Sequence, residues 1–187
     1  MRLFVAFELR EDVREEMRGL IATLKPKGAD ARWVRPEGMH ITLKFIGHQE
    51  PAKLEAIQGA LASVHCAGPV EMCFSGVGFF PDGRRPRVVW CGIEASPNLA
   101  QLAADIESVL EPLGIDSESR RFSPHLTLAR LNAPSRTEGL VRSADEWRSR
   151  EFGSAAEREF HLFESTTKPT GAVYKKLASF VFIKESR

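Results

Sequence analysis

The chain has 187 residues, of which 43% are hydrophobic and 27% charged, the balance of an ordinary folded chain that can bury a core without disulfide or metal staples. A sum of 26 Lys and Arg against 25 Asp and Glu leaves a formal net charge of +1, which excludes a whole-molecule field that would collect nucleic acid. The longest apolar runs fall far short of the roughly 20 residues that cross a bilayer; Leu3–Phe7 is followed at once by Glu8, so no signal peptide or membrane anchor is expected and the cytoplasm is the expected compartment.

Apolar periodicity predicts alternating strands and helices over residues 1–187, read as one domain or two closely packed halves. Leu3, Val5 and Phe7 alternate with Phe4, Ala6 and Glu8 as a first, largely buried strand. Val13, Met17, Leu20, Ile21 and Leu24 recur at helical spacing, closed by Pro26 and Gly28. Trp33 and Val34 lead through Pro36 and Gly38 into a strand at Met39–Ile46, and a second helix carries Leu54, Ile57, Leu61 and Val64 on one face. Strands are predicted at Val70–Gly76 and Arg87–Ile93 around a turn at Pro81, Asp82 and Gly83. Ser96 reads as an N-cap with Pro97 at the first helical position, followed by a stripe from Leu99 to Leu113. A strand at Pro124–Leu131, a weakly helical stretch at Ser135–Arg150, and strands at Arg158–Glu164 and Ala172–Ile183 complete the chain, the last two joined by a loop at Ser165–Gly171 containing Lys168 and Pro169. The class is α+β, with sheets at least partly antiparallel.

Cys66, Cys73 and Cys91 are odd in number and lack Cys-x-x-Cys spacing, which reads as reduced, mostly buried thiols. The basic residues are 18 Arg to 8 Lys, with local clusters at Arg84, Arg85 and Arg87 and at Arg120 and Arg121.

A short repeat carries the chemistry. Met39-His40-Ile41-Thr42-Leu43 and Pro124-His125-Leu126-Thr127-Leu128 each contain His-apolar-Thr-Leu, one copy in each half. With a side-chain period of two, His40 and Thr42 share one strand face while Ile41, Leu43 and Phe45 take the other; His125 and Thr127 pair in the same way. By this parity Lys44 stands beside Thr42, and Arg130 faces away from His125 unless a bulge re-aims it. Two imidazoles can supply one base and one acid near neutral pH, and two hydroxyls can donate to the oxygens of a tetrahedral group, a set suited to phosphodiester cleavage. A zinc site would need more ligands than two histidines, and no Asp, Glu or Cys lies at short spacing around either copy. His48, His65 and His161 have no Thr two positions on and read as surface or structural. Phe79, Phe80 and Trp33 are candidates for stacking a base, against core packing as the alternative. No P-loop or Gly-x-Gly-x-x-Gly is present, so no ATP or other cofactor is implied.

With these motifs the chain resembles the two-histidine (2H) phosphoesterases, specifically the RNA 2′,3′-cyclic phosphodiesterases also called 2′-5′ RNA ligases or LigT-like proteins. The likeness extends through Arg2-Leu3-Phe4-Val5-Ala6, Trp33-Val34, the two motif segments His40–Gly47 and Phe122–Arg130, Gly76–Pro81, Leu162–Ser165 and Gly171–Tyr174. It implies a bilobal α+β fold of two pseudo-twofold-related lobes, with largely antiparallel sheets and flanking helices around a central cleft. It also implies metal-independent hydrolysis of a cyclic phosphate RNA end to a 2′-phosphomonoester, reversible as 2′-5′ ligation. His40 is then the proton donor, His125 the proton acceptor, and Thr42, Thr127 and Arg130 bind phosphate. The expected partners are RNA ends or nucleotide 2′,3′-cyclic phosphates, the chain acting as a monomer with no membrane, metal or cofactor. The alternatives are a 2H phosphodiesterase for another small cyclic or 2′-5′ nucleotide, or a non-catalytic RNA-end-binding protein.

Overall fold

Five consecutive buried residues, Leu3 to Phe7, place the first strand, β1 (Arg2–Glu8), in the interior of a sheet with both faces covered. The structure is a computed structural model and describes residues 1–27, 30–119, 121–133, 137–168 and 171–182. After β1 come α1 (Glu11–Leu24), β2 (Ala31–Trp33), β3 (His40–His48), α2 (Leu54–Ala62), β4 (Val70–Phe80), β5 (Val88–Ala95), α3 (Asn98–Leu110), β6 (His125–Leu131), α4 (Glu138–Asp145), β7 (Glu151–Glu157), β8 (Glu159–Lys168) and β9 (Gly171–Val181). They build two sheets in the orders β3-β1-β8-β9 and β2-β6-β5-β4-β7, and every recorded strand pair is antiparallel. Each sheet holds one histidine strand, β3 in the first and β6 in the second.

The lobes are interlocked by helices. α1 follows β1 of the first sheet yet packs on β7 and α4 of the second lobe, while α3 follows β5 of the second sheet and packs on β3 of the first. The predicted stripes are the faces that do this: Val13, Met17, Leu20, Ile21 and Leu24 of α1, and Leu99, Leu102, Ala103, Ile106 and Leu110 of α3, are buried. One continuous apolar cluster therefore includes Leu3 and Phe7 of the first lobe and Phe74, Leu126 and Phe152 of the second.

Several expectations need correction. The segment Glu-Phe-Gly-Ser-Ala-Ala-Glu of β7 has little β-branched or aromatic content and is not predicted as a strand; it pairs with β4 because α1 lies across it. Its Gly153 has φ +118, and a Cβ there would meet Val13 at 3.3 Å, so the helix sits close to the strand backbone. Ser96 does not cap α3: Pro97 holds that position, and the Ser96 hydroxyl accepts from the Glu71 amide at 2.9 Å. α1 ends at Leu24 and α3 at Leu110, each followed by one 3-10 turn. The expected loop at 165–171 is mostly strand, since β8 runs to Lys168 and β9 starts at Gly171. Gly28, Arg120, Ser135, Pro169 and Ile183 lie outside the described residues. Of the thiols, Cys91 is buried and its pKa is pushed up to about 12 by that burial, whereas Cys66 and Cys73 are half-buried. Among the described residues no helix is long and apolar enough to cross a membrane.

Lys44 does not line an open face. Its side chain is 3% exposed and its ammonium donates to Glu107 of α3 at 2.5 Å and to the Asp116 carbonyl at 2.6 Å. Breaking a fully buried pair costs ~3–5 kcal/mol. Glu107 keeps 23% of its side chain in water, so Lys44→Met is expected to cost about 2 kcal/mol. Urea unfolding measures this, and an unchanged midpoint would show that the tie between β3 and α3 contributes nothing.

Candidate active site

An extra residue at the same place in each histidine strand shapes the site. In β3, Ala6 faces Thr42 and Val5 faces Lys44, leaving Leu43 without a partner. In β6, Trp90 faces Thr127 and Val89 faces Ala129, leaving Leu128 without one. These are β-bulges three residues after each histidine, and they invert the parity of the positions beyond them. Leu43 and Lys44 both turn inward, as do Leu128 and Ala129, while Phe45 and Arg130 are exposed. Arg130 thus returns to the face of His125 and Thr127, which removes the parity objection to it. Phe45, expected on the opposite face, joins His40 and Thr42 with 59% of its surface exposed. The doublet Leu128-Ala129 was a readable sign of the second bulge; in the first, the charge of Lys44 concealed it.

Each imidazole is held in the same way. The Nδ1–H of His40 donates to the Gly38 carbonyl at 3.0 Å, and that of His125 donates to the Ser123 carbonyl at 2.8 Å. Both acceptors lie two residues before the histidine, and this bond leaves Nε2 as the nitrogen available for chemistry. Sequence reasoning missed Gly38 and Ser123 because they act through backbone oxygens. Thr42 and Thr127 are half-buried, and neither hydroxyl makes a recorded hydrogen bond among the described residues.

The aromatic surroundings differ. His40 touches both Phe4, at 4.6 Å, and Tyr174, at 4.8 Å and edge-on, and those two rings also meet each other at 5.3 Å. His125 meets Phe80 edge-on at 4.9 Å, and Phe80 leans on Trp90 at 5.2 Å. Trp90 lies over Gly78, where a Cβ would come within 2.3 Å of the indole. Of the three stacking candidates, Phe80 therefore touches a motif histidine, whereas Phe79 and Trp33 pack against the core. Burial pushes the His40 pKa down, partly offset by its bond to Gly38.

The two histidine strands meet between the lobes. β3 and β6 touch. Burial raises the Tyr174 hydroxyl pKa, and the charges of Arg130 and Arg2 pull it back, so Arg130 of one lobe acts on the ring that flanks His40 in the other. A cavity of about 170 Å³ opens beside His40, lined by Phe4, Glu8, Phe163, Tyr174 and Lys176 among others; it is smaller than the roughly 300–1,000 Å³ of drug-sized ligand pockets. His161 is buried, as expected of a structural histidine, bonded to Ser179 at 2.9 Å, while His48 and His65 are exposed. Among the described residues no three His, Cys, Asp or Glu side chains are grouped as a metal-ligand set would be.

Bulged strands that present His and Thr from two lobes define a phosphoesterase-like cleft, and comparison with known proteins agrees with that class. The family model of the 2′-5′ RNA ligase superfamily matches residues 10–162, and the chain belongs to that superfamily. It is 34% identical to a protein of Archaeoglobus fulgidus named RNA 2′,3′-cyclic phosphodiesterase, over 96% of this chain and 99% of that one. A protein of the same name from Thermotoga maritima is 32% identical over 95% and 93% of the two chains. Among solved structures, a Thermus thermophilus protein superimposes with a TM-score of 0.79 at 29% identity, covering 97% of this chain and 98% of that one. E. coli LigT complexed with 3′-AMP gives 0.77 at 28% identity, covering 97% of each. The expected bilobal LigT-like fold is thereby established.

The lowered His40 pKa has a measurable sign. In NMR titration His40 is expected to lose its proton below its ordinary 6.5, and Tyr174→Ala, which admits water to the ring, is expected to move that titration to higher pH. Because the unfolded chain holds this proton more tightly, stability is expected to fall as pH drops from above 6.5 through the lower folded value. A His40 titration that Tyr174→Ala leaves in place would contradict this account.

Proposed function

We propose that the chain hydrolyses the 2′,3′-cyclic phosphate end of RNA to a 2′-phosphomonoester by metal-independent acid–base catalysis. The observation that supports this reading is the duplicated geometry: each Nδ1 is tied to the carbonyl two residues earlier, so each ring keeps its Nε2 for chemistry. His125 takes a proton from water as the water oxygen bonds to phosphorus. The bond from phosphorus to O3′ breaks, and His40 delivers its proton to that oxygen, leaving the phosphate on O2′. The anionic phosphate beside His40 favours the imidazolium and so opposes the effect of burial. Thr42 and Thr127 donate to the non-bridging oxygens, and Arg130 offsets their charge. Phe45, exposed beyond Thr42, supplies a ring face on which the terminal base stacks. With a 5′ hydroxyl in place of water, the same base takes the nucleophile's proton and the same acid protonates the departing O3′, giving a 2′-5′ ligation. The names of the relatives support the substrate class, and the reading places a monomeric enzyme in the cytoplasm.

The test is hydrolysis of 2′,3′-cyclic AMP in excess EDTA, with the product isomer identified. His40→Ala and His125→Ala are each expected to lower kcat by about 10²–10⁴-fold. Absence of turnover, or turnover abolished by EDTA, would overturn the proposal and favour an end-binding module or a metal site. A different product isomer would overturn the assigned bond cleavage.

Phe45→Ala separates binding from chemistry. It is expected to raise KM about tenfold with kcat little changed, since one base-stacking contact contributes ~1–3 kcal/mol. An unchanged KM would remove Phe45 from the site.

A further inference from the structure

The three-residue strand β2 carries a charge that the proposed chemistry does not use. In the β2–β6 ladder Arg32 stands directly opposite Arg130, and directly opposed residues project from the same face of a sheet. Ala31, Trp33, Ala129 and Leu131 pack into or against the core, whereas Arg32 and Arg130 are both exposed. Like charges placed directly opposite each other destabilise a sheet. Nothing nearby relieves them: among the described residues neither arginine has a recorded ion pair or side-chain hydrogen bond. The acid two residues before Arg32, Asp30, instead accepts from the Asn132 side-chain amide at 2.9 Å. The bulge at Leu128 puts Arg130, and with it Arg32, on the face that carries His125 and Thr127.

We propose that Arg32, one strand outward from Arg130, binds the internucleotide phosphodiester next to the cyclic end, so that the cleft holds an RNA end more tightly than a mononucleotide. The proposal rests on the RNA-end reading above. Adjacent strands are ~4.8 Å apart, so two long guanidinium side chains can hold separate anionic groups along one backbone, each through paired N–H donors. Such contacts set position and carry no base preference. Anionic groups held by the two arginines also offset their repulsion.

Binding of two probes tests this without relying on turnover: adenosine 2′-phosphate, and adenylyl-(3′,5′)-adenosine 2′-phosphate, which adds one phosphodiester. Wild type is expected to bind the dinucleotide about tenfold more tightly, as one charge-assisted contact allows. Arg32→Ala is expected to abolish that gain while leaving the mononucleotide affinity unchanged, which also shows that the variant is folded. The slope of log Kd against log salt for the dinucleotide is expected to fall by about 0.7, the value for one single-strand phosphate contact. Arg32→Lys is expected to keep the slope and lose part of the gain. Equal losses for both probes, or no loss for either, would overturn the proposal. If wild type binds both probes but turns over no cyclic phosphate, the hydrolase reading fails while the comparison still decides the role of Arg32.

Discussion

A strand that must bury one face and present chemistry on the other is constrained by its two-residue period, and both motif strands depart from it by an added residue at the same offset from the histidine. Without Leu43 and Leu128 as unpaired insertions, Phe45 and Arg130 would point into the core and Lys44 would stand among the site residues. With them, the third and fourth positions after each histidine turn inward together and the fifth comes back to the cleft. The position of every candidate ligand-binding side chain beyond the threonines depends on this shift. Its use at the same offset in both lobes ties it to the duplicated plan.

The rigidity of the cleft comes from elsewhere. Each lobe lends a helix to the other, α1 to β7 and α3 to β3, and the Lys44–Glu107 pair fastens the second of these contacts from inside. Separating the lobes would strip apolar faces from both helices, so the two imidazoles are carried on a frame that resists opening. The backbone carbonyls of Gly38 and Ser123 then orient the rings locally, which is preorganisation by the main chain.

Much of this was legible in the residues. The period-two pattern of Leu3–Phe7, the helical stripes of α1 and α3, and the paired His-x-Thr segments led to the right elements and to the four motif residues. What failed did so for physical reasons. β7 is a strand because α1 covers it and β4 pairs with it, a tertiary effect that Gly, Ser and Ala do not announce. The inward position of Lys44 is not legible in the sequence, because a charged residue in a core position looks solvated until its partner, 63 residues away, is known. The meaning of Arg32 lies in the residue across the ladder, which the linear sequence does not show.

The two bulges bring unlike residues to matching places, an aromatic ring at Phe45 and a cation at Arg130. A scaffold with twofold symmetry cannot tell the head of a ligand from its tail, because rotation exchanges the two ends. Divergence at this pair of positions, beside the differing aromatic surroundings of the histidines, breaks that equivalence. Under the proposed function, a chain laid along the cleft would meet a flat apolar surface on one side of the histidines and a fixed positive charge on the other, so the two directions of entry would differ in energy. The same asymmetry distinguishes two imidazoles that the repeated motif alone makes equivalent.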